Sequence, residues 1–265
     1  MITSAGNTRI KAVIQMKQKV KARREMGAFL TEGVKMFLEA PEEQIREIYV
    51  SESFSCPDEE LWGAVTEKLK RLPHETVSKP IFQKISDTCT PQGILCVMEA
   101  RQYTLADLLK KDAPLLLLLE NIQDPGNLGT MVRAGEGAGI DGLILSADTV
   151  DLYNPKTVRA TMGSVYRMPF LYVDDFPAVM ADLQEAGICI YAAHLQGKTE
   201  YDGCDFNGGS AFLIGNEAKG LTAQTASLAD RYMRIPMAGE VESLNAGIAA
   251  AILMYEAARQ RRKRV

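Results

Sequence analysis

The sequence predicts an α/β protein of two domains, with a largely parallel sheet in the second. Three observations carry this expectation. The chain has 265 residues, within the range of one or two domains. From Leu115 onward, short apolar runs alternate with helical segments. Those runs are almost continuously apolar, as in strands covered by helices on both faces.

In the first part, Asn7 to about Arg24 reads as one helix, with Ile10, Val13, Ile14, Met16 and Val20 on one face. Gly27–Gly33 reads as a short strand entering a helix near Val34–Glu39, and Ile45–Val50 as the next strand. Asp58–Leu72 and Lys79–Ile85 read as helices, and Gly93–Glu99 as a buried strand. Thr104–Lys111 precedes Ala113-Pro114 and serves as connector, so residues 1–112 and 113–265 are the expected domains. In the second, strands are expected at Leu115–Leu119, Leu143–Leu145, Phe170–Val173, Ile188–Ala192, Ala211–Ile214 and Tyr232–Ile235. Helices are expected at Asn127–Ala138, Pro155–Met162, Asp175–Ala186 and Leu221–Leu228, with a long final helix from Asn245 to about Arg261.

Composition narrows the function. With 46% apolar and 24% charged residues the chain can bury a real core, which argues against disorder and disulfide scaffolds. The leucine run Leu115–Leu119 is far shorter than the ~20 residues that span a bilayer. Neither a signal peptide nor a membrane segment is read, and a cytoplasmic location is expected. Five cysteines without a C-x-x-C pair, and only two histidines, point to reduced thiols and no metal centre. The net charge of −4 is uneven. Residues 1–24 carry seven cations and no acid, residues 259–265 five more, and the chain between them sums to −16. Basic ends on an acidic body suggest a polyanionic partner, although solvated helix ends would look the same.

Three segments hold polar residues that folding alone does not require. Asn121–Arg133 follows the first strand of the second domain, where parallel sheets place ligand sites. Its Gly126 and Gly129 form G-x-x-G rather than G-x-G-x-x-G, so a dinucleotide site with Asp148 as ribose acid is a poor match. The bland alternative is Asn127 as a helix cap and Arg133 as a solvated cation. Phe212–Leu221 ends a strand in Gly215 and continues through Glu217 and Lys219. Arg234–Ile248 holds Ser243 and Asn245 around Leu244, either of which could cap the final helix. The stretch Ala246–Tyr255 has no polar face and must lie in a core or against another subunit.

Together these segments read N-x-G-x-x-x-R (Asn127, Gly129, Arg133), G-x-E-x-x-G-L (Gly215, Glu217, Gly220, Leu221) and I-P-M…S-L-N (Ile235–Met237, Ser243–Asn245). The pattern resembles the SpoU/TrmH family of S-adenosylmethionine-dependent RNA ribose 2′-O-methyltransferases over roughly 115–260. More loosely, Asn7, Arg9, Ile10 and Phe29–Gly33 resemble the ribosomal-protein-like α/β domain that many members use to bind substrate. The resemblance implies a SPOUT-like fold with a deep trefoil knot, a homodimer, and RNA as partner, rRNA before tRNA. It puts S-adenosylmethionine against the backbone of Gly215, Ile235 and Leu244. Arg133 would sit at the ribose hydroxyl as a charged donor, because guanidinium almost never deprotonates. Asn127 and Asn245 would hold the substrate and cofactor loops, Ser243 would support them, and Glu217 would anchor its motif or Arg133. Arg9, Lys19, Lys21, Arg23 and Arg24 would contact RNA. A nucleotide-binding oxidoreductase, or an inert RNA-binding protein of the same fold, are the rival readings. Members often carry a β-branched residue and serine where this chain has Ala246-Gly247-Ile248-Ala249.

Overall fold

The computed structural model describes residues 1–56 and 58–262, so Lys263 and Arg264 of the basic C-terminal run lie outside the described residues. Two compact units emerge: Met1–Arg101 with Asp151–Tyr166, and Gln102–Val150 with Arg167–Val265.

Unit 1 begins with α1 (Thr8–Gln18) and α2 (Val20–Met26), then β1 (Ala28–Glu32), α3 (Val34–Glu39) and β2 (Ile45–Ser51). It continues through α4 (Glu59–Arg71), β3 (Glu75–Val77), α5 (Lys79–Ile85) and β4 (Ile94–Glu99). The sheet order is β1-β4-β2-β3, antiparallel except for the β2–β3 pair. Ile10, Val13 and Met16 of α1 and Ile81, Phe82 and Ile85 of α5 cover one face, packing on Leu30, Tyr49, Leu95 and Val97.

The single N-terminal helix expected from the sequence is two helices. Lys19 adopts an extended conformation (φ −126°, ψ 122°) between them. Arg23 lies on α2, just after the break. Its side chain is 4% exposed, its Nη1 donates to the Met16 carbonyl (2.5 Å), and its Nη2 lies 2.6 Å from Asp151 Oδ2. Its guanidinium faces inward to a carboxylate, so Arg23 is a buried structural residue rather than an RNA contact.

That contact also explains why Asp151–Tyr166, distant in sequence, belongs to unit 1. Tyr153 stacks on Phe29 with ring centroids 4.2 Å apart, and Tyr166 donates to the Met36 carbonyl (3.0 Å). The units thus differ from a division at 112/113 in this segment, and in a first boundary at Arg101.

Unit 2 is built on a seven-stranded sheet whose paired strands are all parallel. Along the chain run α6 (Leu105–Leu108), β5 (Leu115–Leu119), α7 (Pro125–Ala138) and β6 (Gly142–Ser146). After α8 (Pro155–Thr161), which lies in unit 1, come β7 (Phe170–Val173), α9 (Phe176–Glu185), β8 (Cys189–Ala193) and β9 (Thr199–Glu200). The chain closes with β10 (Ser210–Ile214), α10 (Ala223–Ser227), β11 (Arg231–Arg234) and α11 (Ala246–Arg262). The order β7-β6-β5-β10-β8-β11-β9 inserts the late strand β10 between β5 and β8.

Helix α11 packs against α7. A Cβ on Gly247 would stand 3.4 Å from Thr130 Cβ, and one on Gly135 3.5 Å from Met254 Sδ. Gly247, Ala250, Leu253, Met254 and Ala257 are buried, whereas Ile248 and Tyr255 are about half exposed, at 51% and 50%. The basic end of α11 is not merely solvated. Arg261 donates to the carbonyls of Ala113, Phe206 and Gly208, closing the helix against the start of the sheet. Burial pushes its pKa down, although a guanidinium remains charged.

Candidate active site

Strands β5 and β10 are parallel neighbours, with Leu119 opposite Ile214. Their following loops therefore leave the same sheet end side by side. This adjacency puts Glu217 against the turn into α7. Its carboxylate accepts from Gln123 N (3.2 Å), Asp124 N (3.1 Å) and Asn127 Nδ2 (3.0 Å). Burial raises the Glu217 pKa, but those hydrogen bonds to the charged form outweigh it and hold the group below its ordinary value.

Helix α7 is capped by Asp124, whose Oδ1 accepts from Asn127 N (2.7 Å). Asn127 is thus inside the first turn and is not the cap, which frees its side chain. While Nδ2 serves Glu217, its Oδ1 accepts from Asn245 Nδ2 (2.8 Å). Asn245 Oδ1 in turn accepts from Gly247 N (2.9 Å) and Ile248 N (3.2 Å), capping α11. Each amide is used as both donor and acceptor. The chain Glu217–Asn127–Asn245 joins all three sequence motifs through side chains.

The loop after β10 is shaped by two glycines. A Cβ on Gly215 would lie 2.3 Å from the Gly220 carbonyl carbon, so no other residue fits there without moving the backbone. Gly220 has φ +69° and exchanges two main-chain hydrogen bonds with Asn216 (2.8 and 3.1 Å). Asn216 also donates to the Asn121 carbonyl (2.8 Å), tying this loop to the one after β5. Beneath them, Glu120 is buried and accepts from Thr222 N and Oγ1 and from Thr225 Oγ1. Asn121 and Asn216 fall in the polar segments of the sequence, but neither they nor Glu120 receive a role there. The polar run after an all-leucine strand was the available signal for Glu120 and Asn121.

Ile235 and Leu244 are partly buried at the two ends of the segment between β11 and α11. Among the described residues, Pro236–Leu244 forms no hydrogen bond, which leaves its main-chain groups for solvent or a ligand. Ser243 is exposed and enters no hydrogen bond with a described residue. Arg133 is likewise exposed on α7, without ion pair or hydrogen bond among the described residues. The structure therefore bonds together Asn127, Glu217 and Asn245, and leaves Arg133 and Ser243 outside that network. Glu217 anchors the Asn127 segment, not Arg133. Free main-chain donors and acceptors between apolar side chains, beside a glycine turn, suit an adenosine-bearing cofactor. No group of three or more potential metal-ligating side chains occurs among the described residues.

Glu217→Gln is expected to lower stability at pH 7 and to cost progressively less as the solution is acidified. Because the folded-state pKa is depressed, the extra stability is complete above the ordinary carboxylate range and disappears as pH falls through the folded value. Denaturation midpoints of both proteins between pH 7 and 3 check this. A constant gap across that range would show that the carboxylate's charge is not what holds the loop.

A parallel sheet with three polar motifs converging at one end defines the class: the chain belongs to the SpoU rRNA Methylase family, whose family model matches residues 114–255. Residues 7–96 match the MRM3-like substrate binding domain. Among particular relatives, the Bacillus subtilis (strain 168) 23S rRNA (guanosine(2553)-2′-O)-methyltransferase RlmP is 32% identical, the alignment covering 96% of this chain and 97% of that one. Among solved structures, the SpoU methyltransferase AviRb from Streptomyces viridochromogenes in complex with AdoMet has a TM-score of 0.85 at 27% identity, covering 96% and 98% of the two chains. The AdoMet-bound rRNA methyltransferase from Sinorhizobium meliloti gives 0.81 at 29% identity, with 97% of each chain covered.

Proposed function

We propose that this protein transfers a methyl group from S-adenosylmethionine to a ribose 2′-hydroxyl of ribosomal RNA. The observation that carries the reading is the Glu217–Asn127–Asn245 chain, which ties all three family motifs together at one sheet end. Gly215, Ile235 and Leu244 would hold the cofactor, which supplies an electrophilic methyl group when bound. The protein must then align the hydroxyl, stabilise its developing charge and let its proton leave. Arg133 would supply a fixed positive donor to the developing alkoxide and the adjacent phosphate, and Ser243 would support the cofactor loop. Lys19, Lys21 and Arg24 are exposed and remain phosphate contacts in this reading. Arg9 is engaged by Glu47 (3.3 Å) and Glu75 (3.0 Å), so its contact with RNA would be a secondary one.

The finer architecture belongs to the same reading. With β10 between β5 and β8, and β11 beyond β8, the chain must return to lay α11 on α7, as a trefoil-knotted chain would. The half-exposed Ile248 and Tyr255, seven residues apart on one face of α11, support a homodimer through that helix. The small α/β sheet of unit 1 suits a ribosomal-protein-like substrate domain. Five free cysteines suit a cytoplasmic location.

S-adenosylmethionine at ~100-fold excess over its dissociation constant is expected to add ~2.7 kcal/mol of stability. Radiolabelled S-adenosylmethionine should also pass its methyl group to 23S rRNA, with the label recovered on ribose. A stabilising effect of NAD(H) alone, without either result, would overturn the assignment.

A further inference from the structure

Unit 1 holds a cavity of about 670 Å³, framed by the β1–α3 turn, the end of β2, the start of β4, and helices α5 and α8. That volume lies within the range of pockets that enclose a small organic group. Its polar groups are unbalanced in a specific way, because the carboxylates are consumed internally and the lysines are not. Glu32 accepts from Ser86 Oγ (2.7 Å), Thr88 Oγ1 (2.8 Å) and Asp87 N (3.1 Å). Asp58 caps α4 through Leu61 N (3.0 Å), and nearby Asp87 pairs with Arg159 (2.6 Å). Lys35 and Lys79 are exposed, line the same cavity and form no ion pair among the described residues. Gln92 Oε1 accepts from Val34 N (2.9 Å), which leaves its Nε2 as a donor. The wall thus presents free cations and a donor, with its carboxylates already engaged. It suits an anion.

The cavity is larger than a phosphate alone needs, and its rim carries an apolar side chain. Met162 is 43% exposed and adopts φ +50°, a conformation that few non-glycine residues occupy. This left-handed residue ends α8 and sets its side chain at the rim. An exposed thioether beside cations offers a polarisable surface to a flat ring. A duplex is too wide for such a volume, whereas a single unstacked nucleotide is not, and RNA is read mostly through such nucleotides.

We infer that this cavity takes one unpaired nucleotide of the substrate RNA, its phosphate at Lys35 and Lys79 and its base toward Met162. The inference rests on the proposed function for the identity of the polyanion, and it adds a second RNA site to the cations of α1 and α2. The test uses full-length protein and deproteinised bacterial 23S rRNA, with affinity measured over a salt series. Lys35→Ala with Lys79→Ala should weaken binding and reduce the slope of log affinity against log salt by about 0.7–0.9, the value for one lost phosphate contact. Gln83→Trp, an exposed position on α5 that lines the cavity, should weaken binding without changing the slope. S-adenosylmethionine affinity should be unchanged in both variants. Wild-type RNA affinity and slope in both would overturn the inference. So would saturable binding of GMP to the cavity that leaves RNA binding untouched, since the ligand would then be a free nucleotide. If the unaltered protein neither binds S-adenosylmethionine nor methylates RNA, the proposed function fails, while the RNA affinities of the variants still decide this site.

Discussion

Arg133→Ala is expected to lower the rate of methyl transfer by about 10²–10³-fold, the usual cost of one preorganised donor to a developing oxyanion. Its affinity for S-adenosylmethionine and its unfolding midpoint should stay close to those of the unaltered protein. The structural reason is that Arg133 is exposed and bonded to no described residue, so its removal breaks nothing within the fold. Asn127, on the same helix, is committed to Glu217 and Asn245, and its replacement would loosen the loops as well as slow the reaction. Arg133→Lys separates charge from shape. An ammonium keeps the positive charge but loses the planar fork, so partial recovery of rate is expected. Single-turnover transfer to 23S rRNA, with cofactor affinity measured independently, reads both effects. Equal losses of rate and cofactor affinity would place Arg133 on the cofactor.

Arg23→Ala is expected to destabilise unit 1 by about 3–5 kcal/mol, since it strands the Asp151 carboxylate in a largely buried position. The same change uncaps the Met16 carbonyl where α1 ends. Replacing both partners by apolar residues, Arg23→Met with Asp151→Leu, should recover much of the loss, because desolvating a buried pair offsets most of its attraction. The single tryptophan of the chain, Trp62, lies on α4 of unit 1 and reports the transition of that unit by fluorescence. An unfolding free energy within about 0.5 kcal/mol of the original, as for an ordinary surface substitution, would mean that Arg23 is free to meet RNA after all.

These two arginines show how far the sequence could be read. Both stand on helices, and both are cations next to apolar positions. Arg133 was legible because it belongs to a motif with fixed spacing to Asn127 and Gly129. Arg23 was misread as a phosphate contact because its partner, Asp151, is 128 residues away. The α1–α2 break at Lys19 was illegible too. Nothing between Gln15 and Arg24 disfavours helix.

The sequence by itself determined the strand–helix rhythm of unit 2, down to the bounds of Leu115–Leu119 and Phe170–Val173. Burial on both sheet faces demands unbroken apolar runs, and such runs are visible without any knowledge of neighbours. It also singled out Asn127, Glu217 and Asn245 as site candidates, with a helix cap as the plain alternative for both asparagines. Only the tertiary structure decided what those residues do to one another. Asn127 was readable as a helix cap until Asp124 proved to hold that position, and Asn245 turned out to be a cap and a bridge at once. The pairing of β5 with β10, 95 residues later, brings Glu217 to Asn127. Strand order is set by which surfaces bury one another best, a property of the whole chain, and no window of sequence contains it.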